Sequence, residues 1–361
     1  MPKALNKTFR TNLKICAVLA VIVALSLTTG CLEQTQPTKS VSQGHDLRSK
    51  DGLCSYLRQL PAVKNVEHWN NPYGDGITIT TKHYKIHTTM LELLVLRQVP
   101  GFMESALIAY KKQLPVPIET ENLFTIYLFG SRRQWEDFTK VFTGDNASVY
   151  LNIKKGAYYL NGACVAYNIG RTRTFAVLGH EGWHQFNSRH FIYRLPSWLD
   201  EGIATLFETS TCVNGIFQFT PEKNLGRLGP LRKILLSGKN FPLEELISLN
   251  PGEVVIQADT NAVIAFYAQS YALTRFLREN DYGKYLEKYH NLLLGAAHGT
   301  WPLDDTLHKI AGDRNIPLTA SWNRYVSPKL FAYYIDPHYT LMEDEYLVFC
   351  RKLVYNIRPK R

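Results

Sequence analysis

The chain has 361 residues, 45% of them apolar and 12% aromatic, which excludes a disordered polymer and fits one large domain or two closely packed ones. Its 41 Lys and Arg against 31 Asp and Glu give a formal charge of +10. That excess is not gathered into a dense basic run interleaved with aromatics, so no nucleic-acid partner is expected.

Residues 1–30 read as a signal peptide rather than as part of a fold. Lys3, Lys7, Arg10 and Lys14 form a basic leader, residues 15–27 are an apolar run, and Thr28, Thr29 and Gly30 precede Cys31. The run is shorter than the roughly 20 residues that span a bilayer. The pattern resembles a bacterial lipoprotein signal. That resemblance implies acylation of Cys31, a membrane partner through an N-terminal lipid anchor, and export to the bacterial cell envelope. Thr28 stands where an aliphatic residue is usual, so ordinary secretion and an uncleaved anchor remain open. Leu32 follows the cysteine, which would favour the outer membrane in a cell with two membranes. Loss of the four leader cations lowers the formal charge from +10 to +6.

Residues 31–50 are polar, without apolar periodicity, and read as a flexible tether. A helix is expected over 52–60, ending at Pro61. The alternating, β-branched stretch 77–89 predicts one strand or a hairpin. Residues 90–114 have helical spacing divided by Pro100 and Gly101, and 123–129 form a continuous apolar run typical of a buried strand. Ser131 is a candidate N-cap for a helix over 132–142. Strands are expected at 157–160 and 163–168 around the turn dipeptide Asn161-Gly162. Helices follow over 172–190 and 198–208, and helical spacing recurs near 227–237, 243–249, 260–280, 283–294 and 340–356.

Beyond Cys16 and Cys31, four cysteines remain. An even number in an exported chain suggests two disulfides, expected as Cys164–Cys212 and Cys54–Cys350. None of the four has zinc-ligand spacing.

The chemistry is concentrated in HEGWH at positions 180–184. Residues four apart share one face of a helix, so His180 and His184 can aim both imidazoles at one metal ion. Neutral imidazole suits Zn²⁺, which takes about four ligands and, in catalytic sites, keeps one position open. Glu201, in LPSWLDEGIATLFE, is the candidate third ligand, because a turn at Pro196 can lay a second helix beside the first. Asp200 is shorter and one residue out of phase, which suits it to hold a ligand rather than the metal. Glu181 is placed to act as general base toward an attacking water. His190 is six residues beyond His184 and lies on another helical face.

HEGWH followed by PSWLDEGIA resembles the gluzincin metallopeptidases, which combine HExxH with W-L-x-E-G-x-A; the nearest likeness is to the peptidase MA-like group with its aminopeptidase N-like catalytic domain. YAQSYALTRFL, opening at Tyr267, is similar to the tyrosine-bearing helix of that clan, with Ser270 where glycine is common. The resemblance implies one zinc per chain, peptide-bond hydrolysis, and an oxyanion hydrogen bond from Tyr267, with Tyr271 as the alternative donor and plain helix packing as the other reading of Tyr267.

An α+β, zincin-like fold is therefore expected: a mixed sheet with helices in the N-terminal half, the HExxH helix at the junction, and a mainly helical C-terminal half. The expected divisions are 1–30, 31–50, 51–215 and 216–361. The strand 163–168 is expected to form the cleft rim, where an extended peptide or protein substrate would add as a further strand. Residues 151–180 contain no Asp or Glu to hold a substrate amine, but do contain Lys154, Lys155, Arg171 and Arg173. In the aminopeptidases of the clan this chain resembles, an acidic residue near this strand holds that amine, so the resemblance implies an endopeptidase, or peptide-end activity without α-amine dependence. The rival class is a catalytically inactive binding or scaffold lipoprotein of the same fold.

Overall fold

A computed structural model of the protein describes residues 46–121, 123–153, 156–250, 260–313, 320–355 and 357. The signal-peptide and lipidation expectations, Cys31 included, fall outside these residues, as does nearly all of the tether. The element order is α1 (Lys50–Leu57), β1 (Asn65–His68), β2 (Ile77–Thr80), β3 (Tyr84–Thr88), α2 (Leu93–Leu96), α3 (Val99–Lys111), β4 (Phe124–Phe129), α4 (Arg132–Thr143), α5 (Ala147–Leu151), β5 (Ala157–Leu160), β6 (Ala163–Tyr167), α6 (Arg171–His190), α7 (Ser197–Ala204), β7 (Ser210–Val213), β8 (Ile216–Phe219), α8 (Leu225–Ser237), α9 (Leu243–Ser248), α10 (Thr260–Glu279), α11 (Leu286–His298), α12 (Asp305–Gly312), α13 (Ala320–Tyr334) and α14 (Tyr339–Val354). The molecule is thus mixed α and β, with a six-stranded mixed sheet first and a mostly helical half after it. No helix among the described residues is long and apolar enough to cross a membrane.

The sheet order is β1-β2-β3-β4-β6-β5. The β3–β4 and β4–β6 pairs are parallel and the others antiparallel. One face carries Ile77, Ile79, Ile86, Ile126, Leu128 and Cys164 into the main core, where α3 and α6 pack. The other face carries Phe129, Val165 and Tyr167 against Trp135 and Phe138 of α4. Ser131 starts α4 with a reciprocal capping box to Gln134, which satisfies two of the backbone donors orphaned at a helix start. The β5–β6 turn has Asn161 at φ 49° and Gly162 at φ 81°. Positive φ at both central residues is the primed hairpin turn that matches strand twist.

Four expectations are corrected. Pro100 and Gly101 do not break the helix; the break falls at Arg97–Gln98 and Pro100 sits in the first turn of α3, where its missing N–H costs no hydrogen bond. The 198–208 helix ends at Ala204 and tightens into a 3₁₀ turn over Thr205–Phe207. The strand β6 is not a rim: it is paired with β4 on one side and β5 on the other, so β5 is the sheet's edge. Finally, Cys54, Cys164, Cys212 and Cys350 are all free thiols. Cys164 lies in the interior of the six-stranded sheet and Cys212 on the exposed face of the separate β7–β8 ribbon, while Cys54 and Cys350 sit on α1 and α14. A disulfide demands Cα atoms within about 7 Å.

One apolar core joins the two halves, running from Leu53 on α1 to Val354 on α14. Its axis is α10, in which every residue from Ala265 to Leu277 is buried. The close crossing of α7 over α10 depends on Gly202. A Cβ at this position would run into the Thr274 hydroxyl and lie 2.6 Å from the Ser270 carbonyl oxygen. Backbone cannot move aside as a side chain can, so Gly202→Ala is expected to destabilise the fold by roughly 1–3 kcal/mol, as overpacking does. Thermal unfolding checks this, and a variant that melts with the parent would contradict the tight crossing.

Candidate metal centre

α6 starts at Arg171, where the Thr174 hydroxyl accepts from the Ile169 amide and the Thr174 amide donates to the Gly170 carbonyl. Its apolar run TFAVLGHEGWHQF keeps the central part of the helix buried, from Thr174 to Asn187 with His184 partly open. Gly182 is needed there because a Cβ would strike the Tyr110 hydroxyl, which α3 directs at the Gly179 carbonyl at 2.6 Å. After a six-residue connection α7 begins, its first amides closing onto the Pro196 carbonyl and the Ser197 amide donating to Asn323.

This packing brings His180, His184 and Glu201 together, with one candidate ligand atom from each lying within 4.8 Å of the others. Glu201 Oε2 is 3.2 Å from His180 Nε2, and Glu201 Oε1 is 3.8 Å from His184 Nε2. Ligand atoms about 2.1 Å from one tetrahedral ion lie roughly 3.4 Å apart, and the three residues are close to that spacing, with a different Glu201 oxygen nearest each ring. The other ring nitrogens are both taken by carboxylates. His180 Nδ1 is 3.0 Å from Glu208 Oε1 and His184 Nδ1 is 3.1 Å from Asp200 Oδ1. Asp200 Oδ1 also accepts from Trp183 Nε1 at 2.9 Å and Asn187 Nδ2 at 2.6 Å. A carboxylate on Nδ1 places the proton there and turns the Nε2 lone pair toward a metal. With two nitrogens, one oxygen and no sulfur, the donor set fits a catalytic zinc.

The electrostatics follow from burial. For His180, burial works against the charged ring, but bonds to Glu201 and Glu208 outweigh it and raise its pKa to about 9. For His184, burial is likewise overcome, chiefly by the Asp200 charge, and the pKa reaches about 10. Burial, joined by the Glu201 and Asp200 charges, pushes Glu181 up to about 7, against the pull of both histidines. No described residue gives the Glu181 carboxylate a hydrogen bond, so it is free to take a proton. Glu208 is buried too, yet the Arg227 charge beside it holds it at about 2.

Tyr267 lies on α10, fully buried, with its ring centre 6.4 Å from that of His180. Burial, reinforced by the Glu201 charge, keeps its phenol protonated far above the ordinary range. Tyr271 is committed elsewhere: its hydroxyl donates to the Pro221 carbonyl at 2.6 Å and accepts from Arg275 at 2.9 Å. His190 is outside the cluster, bonded to Phe186 and Thr120. The residues not anticipated are Glu208, Asn224 and Arg227. Glu208 closes the segment LPSWLDEGIATLFE, seven residues beyond Glu201 and just past the 3₁₀ turn that ends this helix; a second acidic residue so close to the ligand segment is the signal that could have found it. Nothing local marks Asn224 and Arg227.

Among known proteins, the chain matches no family model and no curated protein.

The sign of the pH dependence can be stated for the metal-free protein. The raised pKa values of His180 and His184 give stability that is complete below the unfolded value of 6.5 and is lost as pH climbs toward about 9 and 10. Glu181 adds to the loss between 4.5 and about 7, where the unfolded chain releases this proton and the folded one still holds it. Glu208 stabilises above 4.5, and that contribution goes only as pH falls toward about 2. Chelator-treated protein is therefore expected to melt lower at pH 8.5 than at pH 6, and zinc to shift the melt more at the higher pH, because proton and metal compete for Nε2. Calorimetry at the two pH values, with and without zinc, checks both trends.

Proposed function

We propose that the protein is a zinc-dependent peptide hydrolase of gluzincin type on a zincin-like fold, exported and lipid-anchored in the bacterial envelope. The observation that carries the reading is the pinning of both imidazoles. Asp200 and Glu208 occupy the two Nδ1 atoms, and both Nε2 atoms face Glu201. A scaffold protein has no need of two carboxylates, one of them fully buried, spent on the orientation of two rings.

His180, His184 and Glu201 would hold the zinc, which when bound polarises a substrate carbonyl and acidifies water. Glu181 accepts the proton from the attacking water at its carboxylate and delivers it to the leaving amine. Its pKa of about 7 suits both halves of that transfer near neutrality. Tyr267 donates its phenolic proton in a hydrogen bond to the oxygen on which charge develops, and its burial ensures that the proton is there to donate. The surrounding Trp183 and Trp198 exclude bulk water from the helices that carry the ligands.

The substrate strand would add to β5. Leu160 and Ala163 flank a two-residue turn, which makes them a hydrogen-bonded pair. Alternation then turns the backbone groups of Ala157 and Tyr159 outward from the sheet. The Tyr159 hydroxyl donates to Ser188 of α6 at 2.8 Å, tying this edge to the metal helix. The lack of acidic residues from 151 to 180 leaves no anchor for a free α-amine there.

Glu181→Gln is expected to retain about one zinc per chain while losing roughly 10²–10⁴-fold in peptide hydrolysis. Metal analysis paired with a peptide-cleavage assay reads both. Zinc bound by parent and variant with no hydrolysis by either would favour the binding or scaffold lipoprotein instead. The parent is also expected to cut N-terminally blocked and free peptides at comparable rates. Trimming restricted to free N-termini would overturn the endopeptidase reading.

A further inference from the structure

We infer that Arg227 is a positioning residue for the metal centre, fixing His180 through Glu208 and Tyr267 by direct contact with its ring. The inference rests on the zinc reading above, and it concerns a residue outside the helices that carry the three ligands. Arg227 reaches the site from the first turn of α8. That turn is fixed by Asn224, whose carbonyl accepts from the Arg227 and Leu228 amides at 3.0 and 2.9 Å. The Asn224 side chain donates to the Thr205 carbonyl at 3.1 Å and to Glu208 Oε2 at 2.9 Å.

Arg227 Nε donates to Glu208 Oε2 at 2.8 Å and Nη2 to Glu208 Oε1 at 2.5 Å. This two-point fork fixes the plane of the carboxylate as well as its position. The plane matters because Oε1 is the atom that meets His180 Nδ1 at 3.0 Å. A carboxylate held at one point could rotate about its last bond and carry Oε1 away from the ring. The guanidinium carbon also lies 5.0 Å from the centre of the Tyr267 ring, within the range of a cation–π contact. One rigid cation therefore touches both the group that orients a ligand imidazole and the ring of the proposed oxyanion donor. Lysine would supply the charge but neither the fork nor the flat face. A role limited to neutralising a buried carboxylate would be satisfied by lysine, and that difference is what an experiment can read.

The test uses the full chain, parent and Arg227→Lys, with a Glu208→Gln/Arg227→Met double variant that removes both buried charges together. Two measurements are made: zinc affinity by competition with a chelator, and the ring proton on His180 Nδ1 by ¹⁵N–¹H NMR in metal-free protein. Arg227→Lys is expected to bind zinc about 10–100-fold more weakly, the usual cost of disturbing the residues behind a metal ligand. Its His180 ring proton is expected to exchange faster or disappear. The double variant is expected to show the same losses, which keeps the test valid if the lysine variant folds poorly. Parent-like zinc affinity together with a parent-like ring proton in either folded variant would overturn the inference. Should the parent bind no zinc, yet show a protected His180 ring proton that Arg227→Lys abolishes, the zinc reading fails and the positioning role stands.

Discussion

The arrangement depends on the hydrogen bonds between carboxylates and the Nδ1 atoms of His180 and His184. A helix alone sets the spacing of the two rings but not their rotation about χ2. Glu208 and Asp200 supply that constraint, each from an element packed on α6 rather than from α6 itself. With the rings pinned, Glu201 meets both Nε2 atoms from one side. Remove the pinning and the same three residues would still be neighbours, but with their lone pairs unaligned.

Such a cluster is costly to bury. His180, Glu181, Glu201, Glu208 and Arg227 are all in the interior, where an uncompensated charge is worth several kcal/mol of instability. The chain offsets this by pairing. Arg227 answers Glu208, Glu208 and Glu201 answer His180, and Asp200 and Glu201 answer His184. Of these, Glu181 alone is left without a hydrogen-bonded partner among the described residues, and burial, with the Glu201 and Asp200 charges, raises its pKa. Large apolar side chains close the surroundings, with Trp183, Trp198, Tyr110 and Tyr267 all fully buried nearby. The hydrophobic half of the structure thereby creates the low-dielectric setting in which the polar half has its effect.

Much of this was legible in the sequence, for identifiable reasons. The four-residue spacing of His180 and His184 and the apolar run around them specify a buried helix. The Asn161-Gly162 dipeptide specifies its turn, and Ser131 specifies the start of α4. Glu201 was reachable because it belongs to the next helix along the chain. Other features depend on long-range packing that no local pattern encodes. The order of β5 and β6 in the sheet cannot be told from a hairpin alone, since either strand could face the interior. Asn214-Gly215 makes the same turn as Asn161-Gly162, but its flanking strands are only four residues each and weakly alternating, so the β7–β8 ribbon gives little signal. Arg227 reads as one more helical cation until α8 is docked. The cysteine pairs failed because an even count says nothing about distance.

The crossing at Gly202 has a mechanical consequence. Glu201 and Gly202 are adjacent on α7, and Tyr267 and Ser270 lie one turn apart on the facing helix. With the Gly202 backbone set directly against the Ser270 backbone and the Thr274 hydroxyl, little compliance is left at the crossing and the two helices are tightly coupled. Any fluctuation that parts them displaces Glu201 and the Tyr267 phenol in the same motion. Loosening of the helical half and disruption of the His180–His184–Glu201 cluster are thus coupled rather than independent.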